Sequence, residues 1–176
     1  MRERAIEAVI DSVTLNSAFQ PPKPSRKSAQ FKADAVNPLD KPISDRRLKL
    51  ALDEANGLRS EWVRTCGLPA VQAFVVHCEQ YAGIQLIKTP VSPGSAASKK
   101  LRFLGFGNNP VDKLILRIAL ATQDRIIVSD DSDFWDPKKP NDRRLRGDKN
   151  APVARFCRKE LGVTILLLKK LLAKFA

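Results

Sequence analysis

The segment Arg125–Asp136, RIIVSDDSDFWD, runs from a short apolar stretch straight into Asp130, Asp131, Asp133 and Asp136. Carboxylates crowded at the end of a buried strand repel one another unless a positive charge joins them. A hard divalent cation, Mg²⁺ or Mn²⁺, held by oxygen ligands is the usual solution, and it supplies an activated water and charge stabilisation at a phosphate. Two further acids are placed to join such a cluster. Asp11 follows the apolar run Ala8–Ile10, and Asp112 stands in the first turn of a helix that directly precedes the Arg125 segment. The surrounding chain is strongly basic, with a formal net charge of +12. An acidic centre in a basic protein points to a polyanionic partner, nucleic acid ahead of an anionic membrane surface.

Other chemistries find little support. His77 is the only histidine and sits in AFVVHCE, where it reads as a helix or core residue, so mechanisms that need two imidazoles are excluded. Cys66, Cys78 and Cys157 are odd in number and lack the C-x-x-C spacing, which leaves neither a disulfide framework nor a zinc site signalled. Gly105–Gly107 lacks the third glycine and the preceding strand of a dinucleotide fingerprint. The first residues have no signal-peptide core, and no run of about 18 apolar residues occurs, so the expectation is a cytoplasmic chain without a membrane partner.

Elements that must position the acids alternate along the chain. Ala8–Asp11 reads as a short strand, with a helix as its alternative. Gln20–Pro42 holds five of the 12 prolines and reads as a long, basic, Pro-rich loop. From Ser44, Leu48, Leu52, Ala55, Leu58 and Trp62 recur at helical intervals, and Gly67 is a plausible stop. A second helix is predicted over Ala70–Ala82, then a strand at Ile84–Ile87 and a turn-rich basic connection to Pro110. Asn109 suits a cap and Pro110 a first helical position; Val111, Leu114, Ile115, Ile118 and Ala119 then form one apolar stripe. Ile126–Val128 reads as a strand covered on both faces. A helix over Pro152–Leu161, a strand in Val163–Leu168 and a short terminal helix complete a single α/β domain spanning residues 1–176, with a mainly parallel sheet flanked by helices. Ligands of such sheets bind beyond the carboxyl ends of the strands, where the acids are expected to lie.

With these residues in place, VIDSVTLNSAF, NPVDKLILRIALA and IIVSDDSDF resemble, in order, the landmarks of PIN domains, a family of metal-dependent ribonucleases that includes toxin nucleases. The resemblance implies a Mg²⁺- or Mn²⁺-dependent endoribonuclease with Asp11, Glu54, Asp112 and Asp131 as catalytic acids. Asp11, Asp112, Asp131 and the auxiliary Asp133 would form the metal set. Ser129 takes the place of the family's threonine, and Glu61 competes with Glu54 for the helix glutamate. Val13 stands where the family often has an asparagine, so the help that side chain gives the metal site is missing or supplied otherwise. The implied partners are RNA and a small inhibitory, antitoxin-like protein; a homodimer is the assembly to test.

Each acid also has a bland role open to it. Asp11 can cap the next helix, Asp112 can complement a helix dipole, Glu54 can be a solvated helix carboxylate, and Asp130 suits a polar turn. The rival function is a basic nucleic-acid-binding module without catalysis. Nucleic-acid contacts are expected from Lys99, Lys100 and Arg102 and from Lys138, Lys139, Arg143, Arg144 and Arg146, which flank the acids on both sides. Phe103, Phe106 and Trp135 are available to stack a base, with core packing as the alternative.

Overall fold

The computed structural model describes residues 4–20 and 37–176. Five strands, β1 (Ile6–Ile10), β2 (Leu48–Asp53), β3 (Ile84–Ile87), β4 (Ile126–Val128) and β5 (Thr164–Leu166), form one all-parallel sheet in the order β3-β2-β1-β4-β5. Among the described residues eight helices flank it: α1 (Ser12–Phe19), α2 (Asp40–Ser44), α3 (Gly57–Cys66), α4 (Leu68–Gln80), α5 (Ser95–Phe103), α6 (Pro110–Ala121), α7 (Pro152–Phe156) and α8 (Leu168–Leu172). The chain is thus an α/β protein with a parallel sheet between helices.

Strand sequences explain this arrangement. Ala8, Val9 and Ile10 in β1, Leu50, Ala51 and Leu52 in β2, and Ile127 and Val128 in β4 are all buried, the continuous apolar signature of strands covered on both faces. The apolar stripe of α6 supplies much of that cover, packing against β1, β2 and β4. Asn109 accepts the Val111 amide at 3.0 Å and Pro110 opens the helix, so α6 starts where its cap dictates.

The topology creates a crevice. From β1 the chain adds β2 and β3 on one side, then returns to add β4 and β5 on the other. The switch lies between β1 and β4, the place where such sheets leave a cleft at their carboxyl edge. Register pairs Ile10 with Val128, so Asp11 and Ser129 emerge side by side. Two buried indoles secure those strand ends: Trp62 Nε1 donates to the Ile10 carbonyl at 3.0 Å and Trp135 Nε1 to the Ser129 carbonyl at 3.2 Å. Trp135 is therefore a core residue, and Phe106 is buried against Phe134 with ring centroids 5.4 Å apart.

Three expectations need correction. The helix predicted from Ser44 is a strand over Leu48–Asp53, and helix begins only at Gly57. Leu48 and Leu52 fit an i, i+4 spacing, but Leu48, Leu50, Ala51 and Leu52 are all buried, as a strand covered on both faces requires. The predicted connection from Lys88 to Pro110 contains α5, which carries Lys99, Lys100 and Arg102 on a helix with Leu101 alone buried. In the predicted loop over Gln20–Pro42, residues 21–36 lie outside the described residues, whereas Asp40–Ser44 is helical and buries Pro42 and Ile43.

Candidate active site

Asp11 leaves β1 and caps α1. Its Oδ1 accepts the amides of Val13 at 2.7 Å and Thr14 at 3.1 Å, and its Oδ2 accepts the Thr14 hydroxyl at 2.6 Å. The capping role open to it from sequence is therefore real, and it takes up most of the acceptor capacity of the carboxylate. Thr14 Oγ1 in turn accepts the Asp130 amide at 2.7 Å, fastening the end of β4 to the start of α1. Burial pushes the Asp11 carboxyl above its ordinary range, against the pull of hydrogen bonds from Ser129 and Thr14.

Beyond β4 the chain turns tightly. Ser129 Oγ accepts the Asp131 amide at 3.1 Å, and Asp131 Oδ1 accepts the Asp133 amide at 3.1 Å, which closes a 3₁₀ turn over Ser132–Phe134. That turn sends Asp131 into a cleft of about 280 Å³ also lined by Asp11, Asp112, Glu61 and Arg64. Asp130 faces elsewhere. Burial raises its carboxyl, while the Leu168 amide at the start of α8 and the charges of Arg146 and Lys169 pull it down.

Asp112 is the outlier of the group. It is 6% exposed, and its buried Oδ2 has no hydrogen-bond partner among the described residues. Burial pushes its carboxyl up to about 7, with the charges of Asp133, Asp131, Asp11 and Glu61 adding in that order. Asp133 is itself raised by burial and then by Asp131. So Asp133, although outside the cleft lining, acts on Asp112 across the site.

The glutamate of the cleft is Glu61, not Glu54. Glu54 is exposed in the turn between β2 and α3, because the strand that replaces the predicted helix ends one residue before it. Glu61 lies on α3, accepts the Ser12 hydroxyl at 3.4 Å, and is held by Arg64 through Nε at 2.8 Å and Nη2 at 2.5 Å. Arg64 keeps the Glu61 carboxyl below its usual range. A single long helix through this region would favour either glutamate; only the strand boundary decides between them. Asp53, a buried acid that no sequence motif singles out, ends β2 and accepts the amides of Gly57 and Leu58, each at 2.8 Å. It is the cap of α3.

The basic segments meet at one aromatic ring. Phe103, 68% exposed at the end of α5, has Lys138 Nζ 4.6 Å and Lys100 Nζ 5.2 Å from its centroid. Segments separated in sequence thus share a cationic, aromatic surface of the type that tracks single strands. Lys99, Arg102, Lys139, Arg143, Arg144 and Arg146 are charged side chains of the same two segments, and Arg144 is engaged, donating to Asp142 from Nε at 3.0 Å and Nη2 at 3.1 Å. The three thiols are raised by burial, Cys66 to about 11 and Cys78 and Cys157 to about 12, which suits packing and not nucleophilic chemistry.

Comparison of the chain with protein-family models, curated proteins and solved structures finds no match. Chemistry has to be read from the site. Among the described residues no three His, Cys, Asp or Glu side chains stand together as a ready metal-binding group. The donor set still fits a hard cation: all its atoms are carboxylate oxygens, Arg64 is paired with Glu61 and not with the aspartates, and the buried Asp112 oxygen is unmatched among the described residues. Among the described residues no helix is long and apolar enough to cross a membrane.

Proposed function

We propose that the chain is a divalent-metal-dependent endoribonuclease of the PIN type, cutting RNA phosphodiester bonds at the acidic cleft between β1 and β4. One observation carries the reading: the buried Asp112 oxygen, unpartnered among the described residues, in the field of four further carboxylates at a topological switch point. Such an arrangement costs folding stability, and structure of that kind gathers at functional sites. The choice of RNA comes from the likeness of the three landmark segments to PIN domains.

Asp112 and Asp131 would hold Mg²⁺ or Mn²⁺, with Asp11 and Glu61, which also line the cleft, reaching it through water. When bound, the cation supplies charge stabilisation at the scissile phosphate and lowers the pKa of an attacking water. Asp133 sets the negative field that makes Asp112 receptive to a cation. Ser12 and Arg64 orient Glu61, and Arg64 keeps N–H groups to spare for a phosphate oxygen at the rim. The Phe103 surface, with Lys100 and Lys138, would bind backbone and stack a base without reading sequence.

The competing reading, an RNA-binding module without catalysis, is favoured by one feature: Asp11 spends most of its acceptor capacity on α1. A cleavage assay separates the two. RNA should be cut with Mg²⁺ or Mn²⁺ and left whole in EDTA; tight binding without turnover in either metal would establish the inactive module, and cleavage in EDTA would end the metal-dependent reading.

A further inference from the structure

On the other side of α6 from the acidic cleft lies a larger cavity of about 560 Å³, between α5, α6 and the connection that leads into α5. Its size suits a nucleotide-scale ligand, within the roughly 300–1,000 Å³ typical of small-molecule sites. Backbone bonding shapes the wall: the Val91 amide donates to the Arg117 carbonyl at 2.9 Å, holding the segment with Ser92 and Pro93 over α6. Leu101, Phe106 and Leu116 supply the apolar part of the lining.

Three cations converge there, and among the described residues the lining holds no carboxylate. Arg102 comes from α5, and Lys113 and Arg117 come from α6. Arg117 Nε is buried without a hydrogen-bond partner among the described residues, and such a donor is costly unless a ligand meets it. Lys113 is laid across Gly107, whose φ of +85° already favours glycine and whose Cβ, if present, would come within 2.8 Å of Lys113 Cε. The backbone has therefore left room for that lysine stem. Ser98 donates to the Pro93 carbonyl at 3.2 Å and so retains lone pairs for a ligand hydroxyl, and Asn108 adds an amide. Like charges assembled around a half-buried guanidinium whose Nε is unmatched among the described residues call for an anion, and the apolar lining gives that anion an uncharged portion to bury.

We infer that this cavity binds a phosphorylated nucleoside, with Arg102, Lys113 and Arg117 on the phosphate and the apolar wall under the base, carried either as a free nucleotide or as one nucleotide of a single strand. The inference does not rest on the cleavage reading, since binding here needs neither a metal nor turnover.

Titration calorimetry of the full chain in EDTA tests it, with UMP, AMP, inorganic phosphate and a short single-stranded RNA as probes. The variants are Arg102→Gln/Lys113→Gln, both exposed positions that leave the core intact, and Arg158→Gln/Lys159→Gln, an equal charge loss on the exposed side of the helical segment Cys157–Leu161 outside the cavity. Nucleotide binding tighter than phosphate binding, weakened about tenfold or more by the first variant and not by the second, is the expected result and identifies a free nucleotide. Binding of the RNA alone, weakened selectively by the first variant, identifies a nucleotide within a strand. Phosphate bound as tightly as UMP and AMP, no binding of any probe, or equal effects of the two variants, overturns the inference.

Discussion

The carboxyl end of β2 and the junction between β1 and β4 each bury an aspartate, and the two could hardly be treated more differently. Asp53 is 3% exposed and Asp112 is 6% exposed. Yet Asp53 receives two amides at 2.8 Å, whereas Asp112 has a buried oxygen that none of the described residues meets and four carboxylates that oppose its ionisation. Burial alone cannot tell a cap from a reactive acid. Hydrogen-bond accounting can, because a satisfied carboxylate stabilises the fold and an orphan one awaits a partner. Asp11 stands between them, a working cap that also lines the cleft.

The sharpest way to break that contrast is by activity. Asp131→Asn and Asp112→Asn should each lower the Mn²⁺-dependent cleavage rate by at least about 100-fold, since even changes one shell out from a metal cost 10–100-fold. Asp130→Asn, directed at Leu168, Arg146 and Lys169, should leave initial rates within about twofold of wild type. An active Asp131→Asn beside a dead Asp130→Asn would move the site to Asp130.

Stability should divide the two buried acids in opposite directions. Asp53→Ala strands two amides of α3 and should cost about 2–4 kcal/mol in urea unfolding. Asp112→Asn, measured in EDTA, should be as stable as wild type or more so, because one charge leaves a crowded site. A destabilised Asp112→Asn would mean that the carboxylate already has a structural partner.

A pH series sharpens the same point. The folded-state carboxyl of Asp112 lies near 7, raised first by burial and then by Asp133, Asp131, Asp11 and Glu61, against an ordinary value of 3.8. The folded chain therefore holds a proton that the unfolded chain releases, so metal-free stability should fall as pH rises from about 4 to about 7 and level off above. The slope from this group is at most about 1.4 kcal/mol per pH unit. Asp112→Asn should flatten the decline, and Mn²⁺ should raise the melting temperature more at pH 8 than at pH 5. A melting temperature that rises over that range in EDTA, unchanged by the substitution, would contradict the assignment.

The smallest effect concerns the basic surface. Neutralising Arg143, Arg144 and Arg146 together should flatten the salt dependence of RNA binding by roughly 0.7 log units for each phosphate that these side chains no longer neutralise. Arg144, already paired with Asp142, should contribute least of the three. An unchanged slope places this loop away from the bound strand.

Local pattern was enough for some of this. The Asn109–Pro110 start of α6, its apolar stripe, the β-branched run of β4, the acids after β1 and β4, and the charge of +12 are all written in short stretches of residues, because caps, periodicity and strand propensity act over a few positions. Long-range packing decided the rest. Leu48 and Leu52 satisfy a helix and a doubly covered strand equally well, and only a place between β1 and β3 makes Leu48–Asp53 a strand. That choice moves Glu54 to an exposed turn and leaves Glu61 at the cleft. Likewise no spacing in the sequence brings Lys138 to Phe103, separates acids from cations across α6, or leaves Asp112 unmatched among the described residues while Asp53 is satisfied. Partners of a buried polar atom come from segments far apart in the chain, so its surplus or deficit exists only once the fold has closed.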